Sequence, residues 1–260
     1  MFFTDQLHRK IHILDAPQRI VSLVPSQTEL LVDLGLEDNI VGITKFCVHP
    51  RHLLKTKTIV GGTKKVHFDK IKNLYPDIII CNKEENTRGM VLELEKIAPV
   101  WVTEIKNVAD CLEMILAFGE LFQKENQSVR LCKVIRDNLI DFQKFILDKP
   151  LKKTAYLIWK NPYMAAGNNT FINHLLEINH FENIFSNKES YPELTVEDLK
   201  TAECILLSSE PYPFKEKDME ELQTRFPEKK ILLVDGEYFS WYGSRLQHAF
   251  DYFKRLHSDL

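Results

Sequence analysis

Residues 125 to 148, ENQSVRLCKVIRDNLIDFQKFILD, read as one uninterrupted helix near the middle of the chain. Val129, Cys132, Ile135, Leu139, Phe142 and Ile146 recur at alternating steps of three and four, which places them on one stripe. Leu131, Val134, Ile140, Phe145 and Leu147 lie off that stripe, so a second face is apolar as well. A helix apolar on two sides needs cover from two bodies. At about 1.5 Å per residue it would run roughly 35 Å, the width of a small domain. Asn126 or Ser128 can cap its start, and Pro150 ends it. The expectation is a strut between two lobes, although an ordinary core helix of a single domain would show the same pattern.

Both flanks support the first alternative. Before the helix, short apolar runs alternate with amphipathic segments. Arg19 to Val24 is apolar on both faces, as a strand inside a parallel sheet must be, and Ser26 with Glu29 three residues on has capping-box spacing for the helix that follows. Strands are expected at 40–44, 58–60, 78–81 and 100–102, with helices between them and an edge strand at 9–14. After Pro150 the alternation starts afresh, with strands at 154–159, 204–208 and 231–234 and a loop at 161–167. Repeated alternation implies mainly parallel sheets. The predicted fold is therefore α/β, two three-layer lobes with mainly parallel sheets. The N-terminal lobe spans 1–124, the connecting helix 125–148 and the C-terminal lobe 149–260.

Bulk properties exclude more than they assign. A net charge of −3 with scattered Lys and Arg gives no electrostatic reason to expect nucleic acid. The five cysteines are widely spaced with no C-x-x-C pair, which argues against a disulfide framework and a four-cysteine zinc site. The opening residues lack a basic segment followed by an apolar core, so no export signal is read there, and a cytoplasmic location stays open.

Catalytic signals are poor, and no enzyme is predicted. Gly61-Gly62-Thr63-Lys64-Lys65 lacks the earlier glycine of a phosphate loop, and there is no G-x-S-x-G elbow. Cys47, His49 and His52 share one loop and could ligate a soft divalent metal, but no second cluster completes the site, so no metal site is assigned. His174 and His180 read as surface or cap residues, and Glu84-Glu85 as solvated loop charges. More informative is where the aromatics fall. Phe46, Trp159, Tyr163, Tyr191, Tyr238, Phe239, Trp241 and Tyr242 lie in or beside loops that follow strands, in both halves. In open α/β sheets those strand ends face the ligand crevice, so the expectation is a cleft that stacks on a large, flat, partly apolar ligand.

Four stretches carry a family resemblance: APQRIVSLVPSQTELLVDLGL (16–36), IVGITKFCVHP (40–50), VGGTKKVHFDKIKNLYPDIII (60–80) and DGEYFSWYGSRL (235–246). They resemble the substrate-binding proteins of ABC importers for cobalamin, ferric siderophores and haem. That resemblance implies two lobes on one long helix, a metal chelate held between them, only a small opening motion, no intrinsic cofactor, a monomer and an extracytoplasmic location. It implies a corrinoid first, and otherwise a ferric siderophore or haem. Phe46, Thr63, Met164, Tyr191, Glu237, Tyr238 and Trp241 match ligand-facing positions, and Trp159 and Tyr163 flank them. Lys64 and Lys65, with Glu237, are available to polar edges of the ligand. The family also presents one acid per lobe to the ABC transporter permease, at positions matching Asp69 and Glu197, although each also suits a helix start. The rivals are an intracellular metal-handling enzyme using Cys47, His49 or His52, and a cytosolic chelate sensor.

Overall fold

A computed structural model describes all of residues 1–260. The chain forms two compact units. Unit 1 comprises Met1–Ile105, Ala109–Val134 and Tyr242–Arg245, and unit 2 comprises Lys106–Val108, Ile135–Trp241 and Leu246–Leu260.

Unit 1 runs β1 (Phe2–Thr4), β2 (Lys10–His12), β3 (Ile20–Ser22), α1 (Pro25–Asp33), β4 (Ile40–Ile43), α2 (Leu53–Thr56), β5 (Thr58–Ile59), α3 (Phe68–Lys72), β6 (Ile78–Asn82), α4 (Arg88–Leu94), β7 (Val100–Thr103) and most of α5 (Val108–Leu121). Its five-stranded sheet has the order β5-β4-β3-β6-β7 and is parallel throughout. Every residue of β3 and β6 is buried, so the sheet is covered on both faces and forms the middle of three layers. Helix α1 begins two residues earlier than the capping-box spacing predicts. Val24 is its N-cap and Pro25 occupies the first turn, where the missing N–H costs nothing, and this leaves Ser26 inside the helix.

The expected edge strand at 9–14 does not join this sheet. Instead β2 pairs antiparallel with β1, which the sequence reading missed, in a separate two-stranded sheet. The hairpin meets the outer edge of β7 with side chains. Asp5 Oδ2 accepts from Val102 N–H at 3.1 Å, Arg9 donates to the Val100 carbonyl at 2.7 Å, and Gln6 Oε1 accepts from Glu104 N–H at 3.3 Å. Asp5 is itself buried. Its carboxylate also accepts from the backbone of Leu7 and Arg9 and from two nitrogens of the Arg9 guanidinium. Three side chains thus occupy the place of a sixth strand.

The long helix α6 (Glu125–Ile146) is continuous, and the boundary between the units falls within it. Neither Asn126 nor Ser128 caps it. Both lie inside, and Ser128 is buried against Gly119 of α5, where a Cβ would come within 2.1 Å of its hydroxyl. Only one face of α6 is covered. Of the predicted stripe, Cys132, Ile135, Phe142 and Ile146 are buried but Val129 is exposed; off it, Val134, Ile140 and Phe145 are exposed, as is Leu147 just past the helix end. The inference of two apolar faces each needing cover is therefore corrected. One stripe does the packing, its first half in unit 1 and its second in unit 2. In unit 2, Phe142 lies 5.8 Å from Phe250 and 5.9 Å from Phe253, centroid to centroid.

Unit 2 continues with β8 (Lys152–Trp159), β9 (Tyr163–Ala165), α7 (Phe171–Ile178), β10 (Phe181–Asn183), β11 (Glu193–Leu194), β12 (Cys204–Ser208), α8 (Glu216–Arg225), β13 (Lys230–Val234), α9 (Glu237–Ser240) and α10 (Leu246–Leu256). Its sheet has the order β11-β9-β8-β12-β13, with β10 also paired to β8. Strand β8 is long enough to pair β10 in parallel along its first residues and β9 antiparallel along its last. The stretch expected as a loop at 161–167 therefore contains a strand, because Pro162 sits in a turn that folds the chain back onto β8. Thr195 caps a short 3-10 helix, Val196–Thr201, with Asp198 closing a capping box. No helix is long and apolar enough to cross a membrane.

Candidate functional site

In unit 1 the loops after the strands are built around one tight turn. Gly61 has φ +134°, and a Cβ there would come within 2.6 Å of the Lys65 carbonyl, so only glycine fits. Gly62 N–H donates to the same carbonyl at 2.8 Å, which closes the turn that carries Thr63 and Lys64. Phe46, 48 % exposed, lies against Gly62 with the Lys45 ammonium 4.9 Å from its ring centroid. The turn is tied to the loop after β6: Asn86 donates to the Thr63 carbonyl at 2.8 Å and Lys64 to the Glu84 carbonyl at 2.5 Å. Asn82 Oδ1 then accepts from the Glu84 and Glu85 backbone, while its amide donates to Thr103. Gln27 Nε2 reaches the same Thr103 hydroxyl at 2.5 Å. Phe46, Thr63 and Lys64 thus stand on a surface held by buried polar side chains.

Two further residues of unit 1, Arg245 and Tyr242, come from the C-terminal part of the chain. Arg245 makes a bidentate pair with Glu29 of α1 at 2.9 and 2.7 Å. Burial raises the Glu29 carboxyl above its usual range despite that guanidinium. Tyr242 is buried, and burial likewise holds its phenol well above the usual value.

In unit 2, a bulge near the end of β8 breaks the register with β9 between Leu157 and Trp159, and it re-aims Trp159 opposite Met164. Trp159 is 39 % exposed and meets Tyr212 edge-on, 5.7 Å between centroids at 66°. Tyr191 is half-buried just before β11. Tyr238, also half-buried, stacks on Tyr252 at 4.6 Å and 17°. Glu237 opens α9 and is half-buried. The remaining aromatics of the sequence reading serve the interior. Tyr163 is 9 % exposed and packs in the hydrophobic core of unit 2, Phe239 is fully covered, and Trp241 is 7 % exposed.

The sequence reading passed over Glu210, Tyr212 and Lys160. Glu210 follows β12, and its Oε1 accepts from Ser240 Oγ at 2.5 Å and Trp241 Nε1 at 2.8 Å. Burial pushes its carboxyl up, and the charges of Glu237 and Asp235 add to this against the pull of the Ser240 and Trp241 hydrogen bonds. Gly236 allows that approach, since a Cβ there would come within 2.8 Å of Glu210 Cγ. The nearest sequence signal was the aromatic between two prolines in Pro211-Tyr212-Pro213.

Cys47 is fully buried between the hydroxyls of Thr28 and Thr44, at 3.1 and 3.3 Å, and burial raises its thiol pKa. His52 bonds Glu37 at 2.7 Å. No three side chains among His, Cys, Asp and Glu converge as a metal site. A cavity of about 390 Å³ in unit 1, lined by Arg9 to His12 and by Glu95 and Ile97 to Val100, lies at the start of β7 and away from the strand-end loops. Asp69 is exposed in the first turn of α3, and Glu197 is exposed and held by Lys200 and Arg225.

Comparison with known proteins agrees with this architecture. The uncharacterized ABC transporter substrate-binding lipoprotein YvrC of Bacillus subtilis is 25% identical over 201 residues, which cover 74% of this chain and 63% of that protein. The petrobactin-binding protein YclQ of the same organism is 30% identical over 159 residues, 58% of this chain and 46% of that one. The chain thus spans between about half and two thirds of the length of these relatives. Among solved structures, the periplasmic vitamin B12 binding protein BtuF of Vibrio cholerae superposes with a TM-score of 0.79 at 16% identity, covering 94% of this chain and 98% of that one. The two-lobed α/β fold is the same. With residues 20–224 matched by the description "Periplasmic binding protein", the chain belongs to the periplasmic binding protein family.

Proposed function

We propose that this protein is the substrate-binding component of an ABC-type importer and that it binds a metal chelate, a corrinoid first and otherwise a ferric siderophore or haem. The observation that carries this reading is the family match over 20–224, joined to strand-end loops that expose rings on a rigid support in each unit. Unit 1 offers Phe46, Thr63 and Lys64. Unit 2 offers Trp159, Met164, Tyr191, Glu237 and Tyr238, with Tyr163 and Trp241 packed behind them. Ring burial and stacking supply the affinity, and the protein carries no chemistry of its own. Relatives named for vitamin B12 and petrobactin support a chelate as the ligand class.

In this role the protein acts outside the cytoplasmic membrane as a monomer and delivers its ligand to a permease. Asp69 and Glu197 are the docking acids. Asp69 makes no salt bridge within the chain, whereas Glu197 must exchange Lys200 and Arg225 for permease arginines.

Titration of intrinsic tryptophan emission with cyanocobalamin, haemin and ferric petrobactin, backed by equilibrium dialysis, tests the reading. Saturable one-to-one binding of one of them is expected. Phe46→Ala should weaken it by about 1 kcal/mol, roughly fivefold. Failure of all three to saturate would sink the proposal.

A further inference from the structure

Lys160 directly follows the exposed Trp159, yet its own side chain is only 12% exposed. Its ammonium donates to Asp218 Oδ1 at 2.8 Å and Glu221 Oε2 at 2.6 Å, both on α8. Asp218 is a fixed anchor. It is 2% exposed, and its other oxygen accepts from the Lys215 backbone N–H at 2.9 Å. A buried carboxylate of this kind needs a counter-charge, and Lys160 supplies it. Two hydrogen-bonded acids also push the Lys160 ammonium pKa up, so it stays charged at any ordinary pH.

The same few residues hold the aromatic pair. Residue 158 is at the bulge, and its carbonyl accepts from Tyr212 N–H at 3.2 Å, which fixes the loop after β12 to the end of β8. Tyr212 is backed in turn by Phe214 at 4.8 Å. A short strand end that carries a bulge and then a turn has few ladder bonds of its own, so a side-chain tie immediately after the tryptophan decides where the ring points.

From this geometry we infer that Lys160 is a positioning residue: its clamp to Asp218 and Glu221 holds the Trp159–Tyr212 corner in the orientation that receives the ligand's ring face, with Tyr212 as a further ligand-contacting side chain. This rests on the proposed binding function for its meaning, but the clamp itself is tested without any ligand.

The chain has three tryptophans, and Trp101 and Trp241 are 2% and 7% exposed. Acrylamide therefore quenches Trp159 selectively, and Trp159→Phe identifies its share of the emission. In Lys160→Met the quenching constant of that share should rise about twofold and its anisotropy fall, with the buried share unchanged, while Lys160→Arg stays at the wild-type value. Unchanged quenching and anisotropy in Lys160→Met would overturn the inference. A parallel rise in the buried share would do the same, since it would mean general loosening. If Lys160→Met loses cooperative unfolding, Glu221→Gln removes the exposed anchor alone. A smaller rise in the same direction is then expected, and no rise would overturn the clamp. Failure to bind any chelate would strike the proposed function and leave these outcomes untouched.

Discussion

His257 makes the stability of unit 2 depend on pH. Its ring stacks on Phe181 at 5.2 Å and 20° and lies within 6.3 Å of Phe142 and 6.1 Å of Phe145. Burial, followed by the charges of Lys149 and Lys152, lowers its pKa from 6.5 to about 4 against the pull of a hydrogen bond to the Asn179 backbone. Nε2 is buried with no partner, so the second proton of an imidazolium would have nothing to bond. Below pH 6.5 the unfolded chain takes up this proton and the folded one does not, so stability is full above about pH 6.5 and falls as the pH drops toward 4. A shift of that size corresponds to a ceiling of about 3.4 kcal/mol, which partial exposure to solvent reduces to roughly 1–2 kcal/mol. His257→Phe places another ring among Phe142, Phe145 and Phe181 and removes the titration. Urea unfolding at pH 7 and pH 4.5 checks it. The variant should lose about 1–2 kcal/mol less than the wild type between the two conditions, and the His257 ring proton should titrate near pH 4 by NMR. A midpoint near 6.5, or equal losses in both proteins, would refute the reasoning.

Two further predictions concern unit 1. Asp5→Ala leaves the Val102 N–H and the Arg9 guanidinium without their buried acceptor, and it should destabilise the fold by about 3 kcal/mol in urea unfolding; a loss below about 1 kcal/mol would contradict the edge-sealing role. Arg245→Met strips Glu29 of its counter-ion, so the carboxyl pKa should rise further. The loss of about 2 kcal/mol at pH 7 should shrink as the pH falls through that raised value, whereas a loss that grew on acidification would argue against the pair.

Much of the scaffold can be read from local pattern. The mostly apolar runs at 20–24, 78–81 and 204–208 each form a buried strand parallel to both neighbours, because only strands covered on both faces tolerate such composition. The errors fall where tertiary context overrides that pattern. Val134 and Ile140 look like a second packing face, but isolated apolar residues on an exposed helix face need no partner. Ser26 has the spacing of a cap, yet Pro25 already starts the helix. The aromatic bias of the strand-end loops did not separate exposed rings from core rings: Phe46 and Trp159 reach solvent, and Tyr163 and Phe239 do not. Lys160 and Glu210 were invisible because their partners lie 58 and 31 residues away, and no local motif encodes a convergence of that kind.

The side chains that close the β7 edge set an order of events. Asp5, Gln6 and Arg9 find Val102, Glu104 and Val100 across sequence separations of 97, 98 and 91 residues. The β1–β2 hairpin therefore waits on one of the later strands of its own unit, and closing so long a loop comes late and slowly. Until it closes, the bare N–H and C=O groups of that strand are a template for a neighbouring nascent chain. The vulnerability of this protein to clumping is thus concentrated in the interval before the β1–β2 hairpin docks.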